Sequence, residues 1–164
     1  MHLTKTKAVT FMLCTLVMLP SLTYALSSDK QKPAHLTADN AIYDRLNHQS
    51  MFAGHVQFHQ GTTTLTADKI LVYDNKHNKV YKVIATGKRA HYSTLPDAKK
   101  FLLHAKANTI VYYPIKEVAM LIGNGKIQQQ QNIFSGPHIT YNVRQQVITS
   151  TPTQHQQTSI TIQP

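Results

Sequence analysis

The sequence predicts an all-β chain built from stacked, repeated strand units, and three observations carry that prediction. Apolar and polar residues alternate in His55-Val-Gln-Phe-His59, Thr64-Leu-Thr-Ala-Asp68 and His138-Ile-Thr-Tyr-Asn-Val143, the pattern of strands with one buried and one wet face. Beyond residue 25 no stretch holds a helical period over about a dozen residues. Finally, the chain repeats itself: Leu36-Thr-Ala-Asp39 precedes Tyr43-Asp44, and Leu65-Thr-Ala-Asp68 precedes Tyr73-Asp74.

The first 25 residues stand apart from this pattern. Lys5 and Lys7 lead into an apolar run at 8–19, Pro20 breaks it, and Thr23-Tyr24-Ala25 offers a small-residue cleavage site. That is the layout of a secretory signal peptide. The run is short of the ~20 residues a spanning helix requires, so cleavage after Ala25 is expected, leaving 26–164 as one exported domain. Retention as a membrane anchor is the alternative. The single cysteine, Cys14, lies in the leader. The domain therefore has no disulfide and must be held by burial and backbone hydrogen bonds. Loss of Lys5 and Lys7 lowers the formal charge from +10 to +8, which favours anionic partners such as acidic glycans or phosphorylated lipid head groups. Only Lys88-Arg89 and Lys99-Lys100 are adjacent cations, so no concentrated nucleic-acid patch forms and no nucleic-acid partner is expected.

Along the chain, alternating segments are interspersed with near-continuous apolar runs at 70–73, 80–85 and 118–122. Their Val, Ile and Tyr content and short length favour strands over helices. Asp74-Asn-Lys-His-Asn78, Gln60-Gly61, Leu95-Pro-Asp97, Tyr113-Pro114 and Gly136-Pro137 read as turns. Strands at this spacing suit a sandwich, barrel, jelly roll or β-solenoid. The repeat favours stacking. Leu36-Thr-Ala-Asp39, Leu65-Thr-Ala-Asp68, Leu103-His-Ala-Lys106 and Phe134-Ser-Gly-Pro137 start units 29, 38 and 31 residues apart. The first three close on Phe52-Ala-Gly54, Ile84-Ala-Thr-Gly87 and Leu121-Ile-Gly123. Each unit is expected to be a strand, a turn and a returning strand that kinks at glycine, unable to bury its apolar face without a neighbour. Such a stack ends in open edges, and the uncharged Thr158-Ser-Ile-Thr-Ile162 is a candidate docking edge.

Catalytic and metal chemistry find little support. Histidines at 35, 48, 55, 59, 77, 91, 104, 138 and 155 form no HExxH and have no cysteine partners. His55 and His59 lie roughly 13 Å apart along a strand. No metal and no cofactor is expected. The seven carboxylates show no converging pair, with Asp39 and Asp68 at equivalent repeat positions assigned to turns, and no GxSxG or phosphate loop occurs. An enzyme is not expected. The apolar interior either closes into a core or holds two sheets apart around an apolar ligand, and periodicity fits both.

The run PAHLTADNAIYD, then MFAGHVQFHQGTTTLTADKILVYD, IATGKRAHY and LIGNGKIQQ resembles the OstA-like family over about residues 33–150. The resemblance implies a twisted β-jelly roll, open along one side, made of stacked V-shaped antiparallel strand pairs. It implies a periplasmic protein whose interior shields the acyl chains of lipopolysaccharide. Copies would join head to tail by edge-strand pairing, between an inner-membrane anchored transport partner and an outer-membrane translocon, in outer membrane assembly. Ala34, Leu36, Tyr92 and Tyr112 match lipid-lining positions. Alternation adds Ile42, Val56, Phe58, Leu65, Ala67, Met120 and Ile127, for all of which core packing is the competing role. Lys88, Arg89, Lys99 and Lys100 are solvated charges or contacts to lipid phosphate. The 95–103 connection and the tail beyond Ser150 depart from the family pattern, leaving the docking direction open. An anchored partner of the same pathway and a non-lipid β-solenoid scaffold are the competing readings.

Overall fold

A computed structural model describes residues 29–96, 101–154 and 156–163, without the side chains of Lys30 and Arg89. The expected leader, Asp97, Lys99-Lys100 and His155 lie outside the described residues. A 3₁₀ turn, Asp29–Gln31, precedes ten strands. They are β1 (Ala34–Thr37), β2 (Asn40–Asp44), β3 (Gln49–Gln60), β4 (Thr63–Asp74), β5 (Val80–Thr94), β6 (Leu103–Tyr113), β7 (Val118–Gln129), β8 (Asn132–Asn142), β9 (Val147–Thr151) and β10 (Ser159–Thr161). All pairings are antiparallel, in the order β1-β3-β4-β5-β6-β7-β8-β10, with β2 also on β3 and β9 also on β8. The sheet is thus a meander that ends in two short strands on each side.

The long strands bend at one common level. Register shifts between Ala53 and Val56, Thr66 and Lys69, Thr86 and Ala90, Lys106 and Thr109, and Ile122 and Gly125. Bulges at these points divide each strand into two arms. One arm carries the cross-strand row Phe52, Ile70, Ala85, Ile110, Leu121 and Ile139; the other carries Phe58, Leu65, Tyr92, Ala105, Ile127 and Phe134. These are the first and second arms. Between them the inward positions shrink to Val56 opposite Ala67, Ala90 opposite Ala107, and Gly125 opposite Gly136, all buried. Two arms converging on a vertex leave room for little more than a methyl group. A Cβ on Gly125 would stand 3.0 Å from the Gly136 carbonyl oxygen and 3.1 Å from Ile139 Cδ1. The stacked V-shaped pairs form a twisted jelly roll, open opposite the vertex.

The repeated LTAD and the closing glycines are two halves of one vertex device. The Asp39 amide donates to the Gly54 carbonyl at 3.0 Å, and the Lys88 amide, next to Gly87, donates to Asp68 Oδ2 at 3.0 Å. A Cβ on Gly87 would lie 2.8 Å from the Asp68 nitrogen, and one on Gly123 would lie 2.7 Å from Asn108 Nδ2. Asp39 and Asp68 therefore serve the vertex and not the turns to which their repetition had assigned them. Gly136-Pro137 is likewise inside β8 at the vertex, where the broken ladder tolerates proline. The third repeat unit is also corrected. Tyr92 pairs with both Leu65 and Ala105, so Ala105-Lys106-Ala107-Asn108, and not Leu103-His-Ala-Lys106, is equivalent to LTAD. A slip of two residues preserves the inside–outside alternation, which hides it from the pattern.

Gly54 has φ +79° and faces the Asp39 side chain. Alanine there should cost about 1–3 kcal/mol through left-handed strain and collision with that carboxylate. A urea midpoint unchanged by Gly54→Ala would contradict the vertex role.

Candidate functional site

The two arms do not close on each other. Between them runs a trough of ≈ 1010 Å³, and its lining changes with distance from the vertex. Ile70, Ala85, Ile110 and Leu121 of the first arm make the floor. One step further out stand Val72, Val83, Tyr112, Ala119 and Tyr141, faced by Leu36, Phe58, Leu65, Tyr92, Ala105 and Ile127 of the second arm. The outermost positions carry the trough's charged and polar groups, Lys79, Glu117, Arg144 and Gln146 beside Val80, Pro114, Ile115 and Val143 on one lip, and Asp29, Gln60, Thr63 and Thr94 beside Ala34, Leu95, Pro96 and Leu103 on the other. A smaller hollow of ≈ 290 Å³, lined by Phe134, Ile160 and Ile162, shares Leu103, Ile127 and Tyr141 with the trough. It carries the apolar path on toward the β9–β10 end.

Polar groups at the lips are held in place. Arg144 Nε donates to Glu117 Oε2 at 2.9 Å. On the opposite lip Asp29 Oδ2 accepts the Thr62 amide at 3.0 Å and the Thr63 hydroxyl at 3.1 Å, while Lys32 Nζ lies 3.5 Å from Asp29 Oδ1. Burial pushes the Asp29 carboxyl up, but the hydrogen bonds from Thr62 and Thr63 and the Lys32 charge together hold it below the ordinary carboxylate value. The clamp ties the start of the described chain to the β3–β4 turn. Inside the trough, burial pushes the Tyr112 hydroxyl up to about 12, and the Tyr92 hydroxyl and Glu117 carboxylate add to the effect. Burial raises Tyr141 as well, again with Tyr92 contributing. Both phenols stay protonated near neutrality.

Seven of the residues singled out in the sequence line the trough: Ala34, Leu36, Phe58, Leu65, Tyr92, Tyr112 and Ile127. The other four do not. Val56, 1 % exposed, and Ala67 are buried at the vertex, where they pack the bend. Ile42 and Met120 fall on the outer surface of the first arm, in the row Ile42, Met51, Leu71, Ile84, Val111 and Met120. Ile42 is 56 % exposed there. The vertex inserts a residue between β1 and β2, so alternation counted straight from Leu36 reaches the wrong face. Alternation missed Tyr141, Ile110 and Leu121. The recurring pairs Ile110–Tyr112 and Ile139–Tyr141, each two residues apart, were the signal that places both tyrosines on one inner row. Lys88 is exposed at the vertex, away from the lips.

Residues 35–147 match the family model described as LptA/(LptD N-terminal domain) LPS transport protein. The chain is 30% identical over 128 residues to the lipopolysaccharide export system protein LptH of Pseudomonas aeruginosa, covering 78% of this chain and 73% of that one. It is 30% identical over 124 residues to the lipopolysaccharide export system protein LptA of Escherichia coli K12, covering 75% and 66%. The crystal structure of the Pseudomonas aeruginosa LptH, described as the LptA-homologous periplasmic component of a conserved lipopolysaccharide transport device, superposes with a TM-score of 0.76 at 27% identity. That match spans 84% of this chain and 99% of the other. A shared fold and a family match over most of the domain agree: the chain is a member of the LptA/LptD-N-terminal family of lipopolysaccharide transport proteins.

Proposed function

We propose that the protein is a periplasmic carrier that holds the acyl chains of lipopolysaccharide in its trough and passes them along a bridge of such troughs, without catalysing a reaction. The observation that carries this reading is the wide apolar space kept open between the arms, with charge confined to its lips. An acyl chain of about a dozen methylenes left in water costs roughly 10 kcal/mol at ~0.8 per CH₂. A lipid with several chains cannot cross an aqueous compartment unaided, whereas a continuous apolar groove lets the chains slide while sugars and phosphates stay wet.

Both ends of the sheet support assembly into a longer path. β1 and β2 form one edge, β9 and β10 the other, and each edge presents one short strand per arm. Antiparallel or parallel addition of a second copy, or of the jelly rolls of an inner-membrane partner and an outer-membrane translocon, would extend both walls at once. Loss of residues 1–25 on export releases the protein into the periplasm instead of anchoring it.

A photo-reactive probe at Tyr112, on the inner row, should crosslink to lipopolysaccharide, whereas one at Gln57 should not. Gln57 is exposed on the outer surface between Thr37 and Thr66. No adduct at Tyr112 in a folded, exported protein would remove the carrier reading and leave a scaffold.

A further inference from the structure

The two arms differ on their outer surfaces. The first carries the apolar row from Ile42 to Met120. The second carries two polar rows that run side by side across the strands. Thr66, His91, Lys106, Lys126 and Ser135 pair in turn from β4 to β8, and His59, Thr64, Ser93, His104 and Gln128 pair in turn from β3 to β7. Their chain neighbours Leu65, Tyr92, Ala105 and Ile127 line the trough, so these residues face away from it. Surfaces that need only stay soluble mix both signs of charge. Here every ionisable side chain is basic. The described carboxylates lie elsewhere: Asp39 and Asp68 at the vertex, Asp29 and Glu117 at the lips, Asp44 and Asp74 at the ends of β2 and β4.

The basic groups also stand in fixed relation. The His91 and His104 rings stack with 5.7 Å between centroids and 13° between planes. Lys106 sits opposite His91 in the ladder, and Lys126 opposite Lys106. Burial, with the charges of Lys106 and His104, holds the His91 imidazole below its ordinary pKa, a repulsion that a bound anion would relieve. Neighbouring strands lie about 4.7–4.9 Å apart, a step close to the length of one sugar in an extended β-linked glycan. Such a chain laid across the strands meets a hydroxyl, amide, imidazole or ammonium group at each sugar. A bilayer suits the face less, because neither row offers an aliphatic, tyrosine or tryptophan side chain to enter its interface. We propose that the outer surface of the second arm is a docking face for a linear, carboxylate-bearing glycan running across β4 to β7, with Lys106 and Lys126 pairing its carboxylates and His91 and His104 its hydroxyls. The face lies on the far side of the wall from the trough, so the proposal is independent of what the trough carries.

Anisotropy titrations of the exported protein at low salt test this with two labelled probes, a β-linked mannuronate octamer, acidic at every sugar, and neutral cello-octaose. The acidic octamer should bind about tenfold more tightly than the neutral one, and a mannuronate dimer, too short to cross the face, should bind as weakly as the neutral probe. Lys106→Gln with Lys126→Gln should weaken the acidic octamer about threefold to thirtyfold, the worth of two exposed ion pairs. Lys76→Gln with Lys116→Gln removes the same charge from exposed turns of the first arm and should change affinity by no more than about twofold. The His91 pKa, followed by NMR of its ring, should rise when the octamer binds. Equal affinity for the acidic and neutral octamers, equal loss from both pairs of substitutions, or an unmoved His91 would overturn the proposal. So would capture of phosphatidylglycerol vesicles through Lys106 and Lys126 without binding of the octamer, which would make the partner a lipid surface. The lipid crosslink from Tyr112 should persist in both double variants, so the carrier reading stands or falls apart from this one.

Discussion

Tryptophan in place of Ala119 should stop lipid capture while leaving the protein folded. Ala119 is half-buried, lines the trough, and stands between Tyr112 and Tyr141 on the inner row. An indole there would project across the gap toward the second arm and occupy the path an acyl chain must take. Lipid affinity should fall about tenfold or more, a loss of ~1.4 kcal/mol or greater, and the crosslink from Tyr112 should vanish. The urea midpoint should stay near that of the wild type, because the ring enters open space. The same substitution at Ala107, 4 % exposed at the vertex, meets close-packed neighbours and should cost about 1–3 kcal/mol or more by overpacking. Should both variants unfold alike, the trough is a packed core. Should Ala119→Trp bind lipid normally, the acyl path runs elsewhere.

Aspartate at Ile139 should be the most destabilising single change in the domain. Ile139 is 1 % exposed and sits between Leu121 and Ser150 at the base of the first arm. The variant loses about 1.5–3 kcal/mol of apolar burial and adds the larger cost of an unpaired carboxylate in a dry site. A total beyond about 4–5 kcal/mol is expected, against a whole-domain stability of about 5–15 kcal/mol. Burial raises the folded-state pKa of the new carboxyl above its unfolded value. The deficit should therefore be full at neutral pH and shrink as pH falls through the raised folded pKa, its electrostatic part vanishing below about 4, where the group becomes neutral in both states. Thermal melts of Ile139→Asp at neutral and mildly acidic pH, beside Ile139→Val at about 0.5–1.5 kcal/mol, test this. A deficit independent of pH would mean that the site admits water.

Alternation within an arm was legible in the sequence, and so was the glycine kink that closes each unit. What could not be read was phase across the bend. Leu65 and Ala67 face inward on one side of the vertex and Ile70 and Val72 on the other, so an odd-numbered set gives way to an even-numbered one. In β7 the run Val118-Ala-Met-Leu-Ile122 has no polar residue to mark the outside, so alternation counted through it places Met120 inward when Ala119 and Leu121 hold those places. Val56 and Ala67 fail for a different reason: inward parity is the same at the vertex and in the trough. Only the convergence of the arms, a property of the folded sheet, separates a packed position from a lining one. The aromatic positions suffered less, because rings too large for the vertex must stand where the arms diverge.

The strictly sequential strand order has a consequence for how the chain reaches its folded state. From β3 to β8 every strand pairs with its immediate successor, so contacts stay local despite the all-β architecture, and short loops must close before each new ladder. Each strand can add to the growing edge left by the one before it, as in a one-dimensional array. A chain delivered N-terminus first through a membrane pore could zip up from β3 as it emerges, with β1 and β2 joining that strand and each later strand up to β8 adding to the one before it. Among the described strands two pairings skip a neighbour, β3 past β2 to β1 and β10 past β9 to β8, so the last edge of the sheet is completed only when the C-terminal strand has arrived.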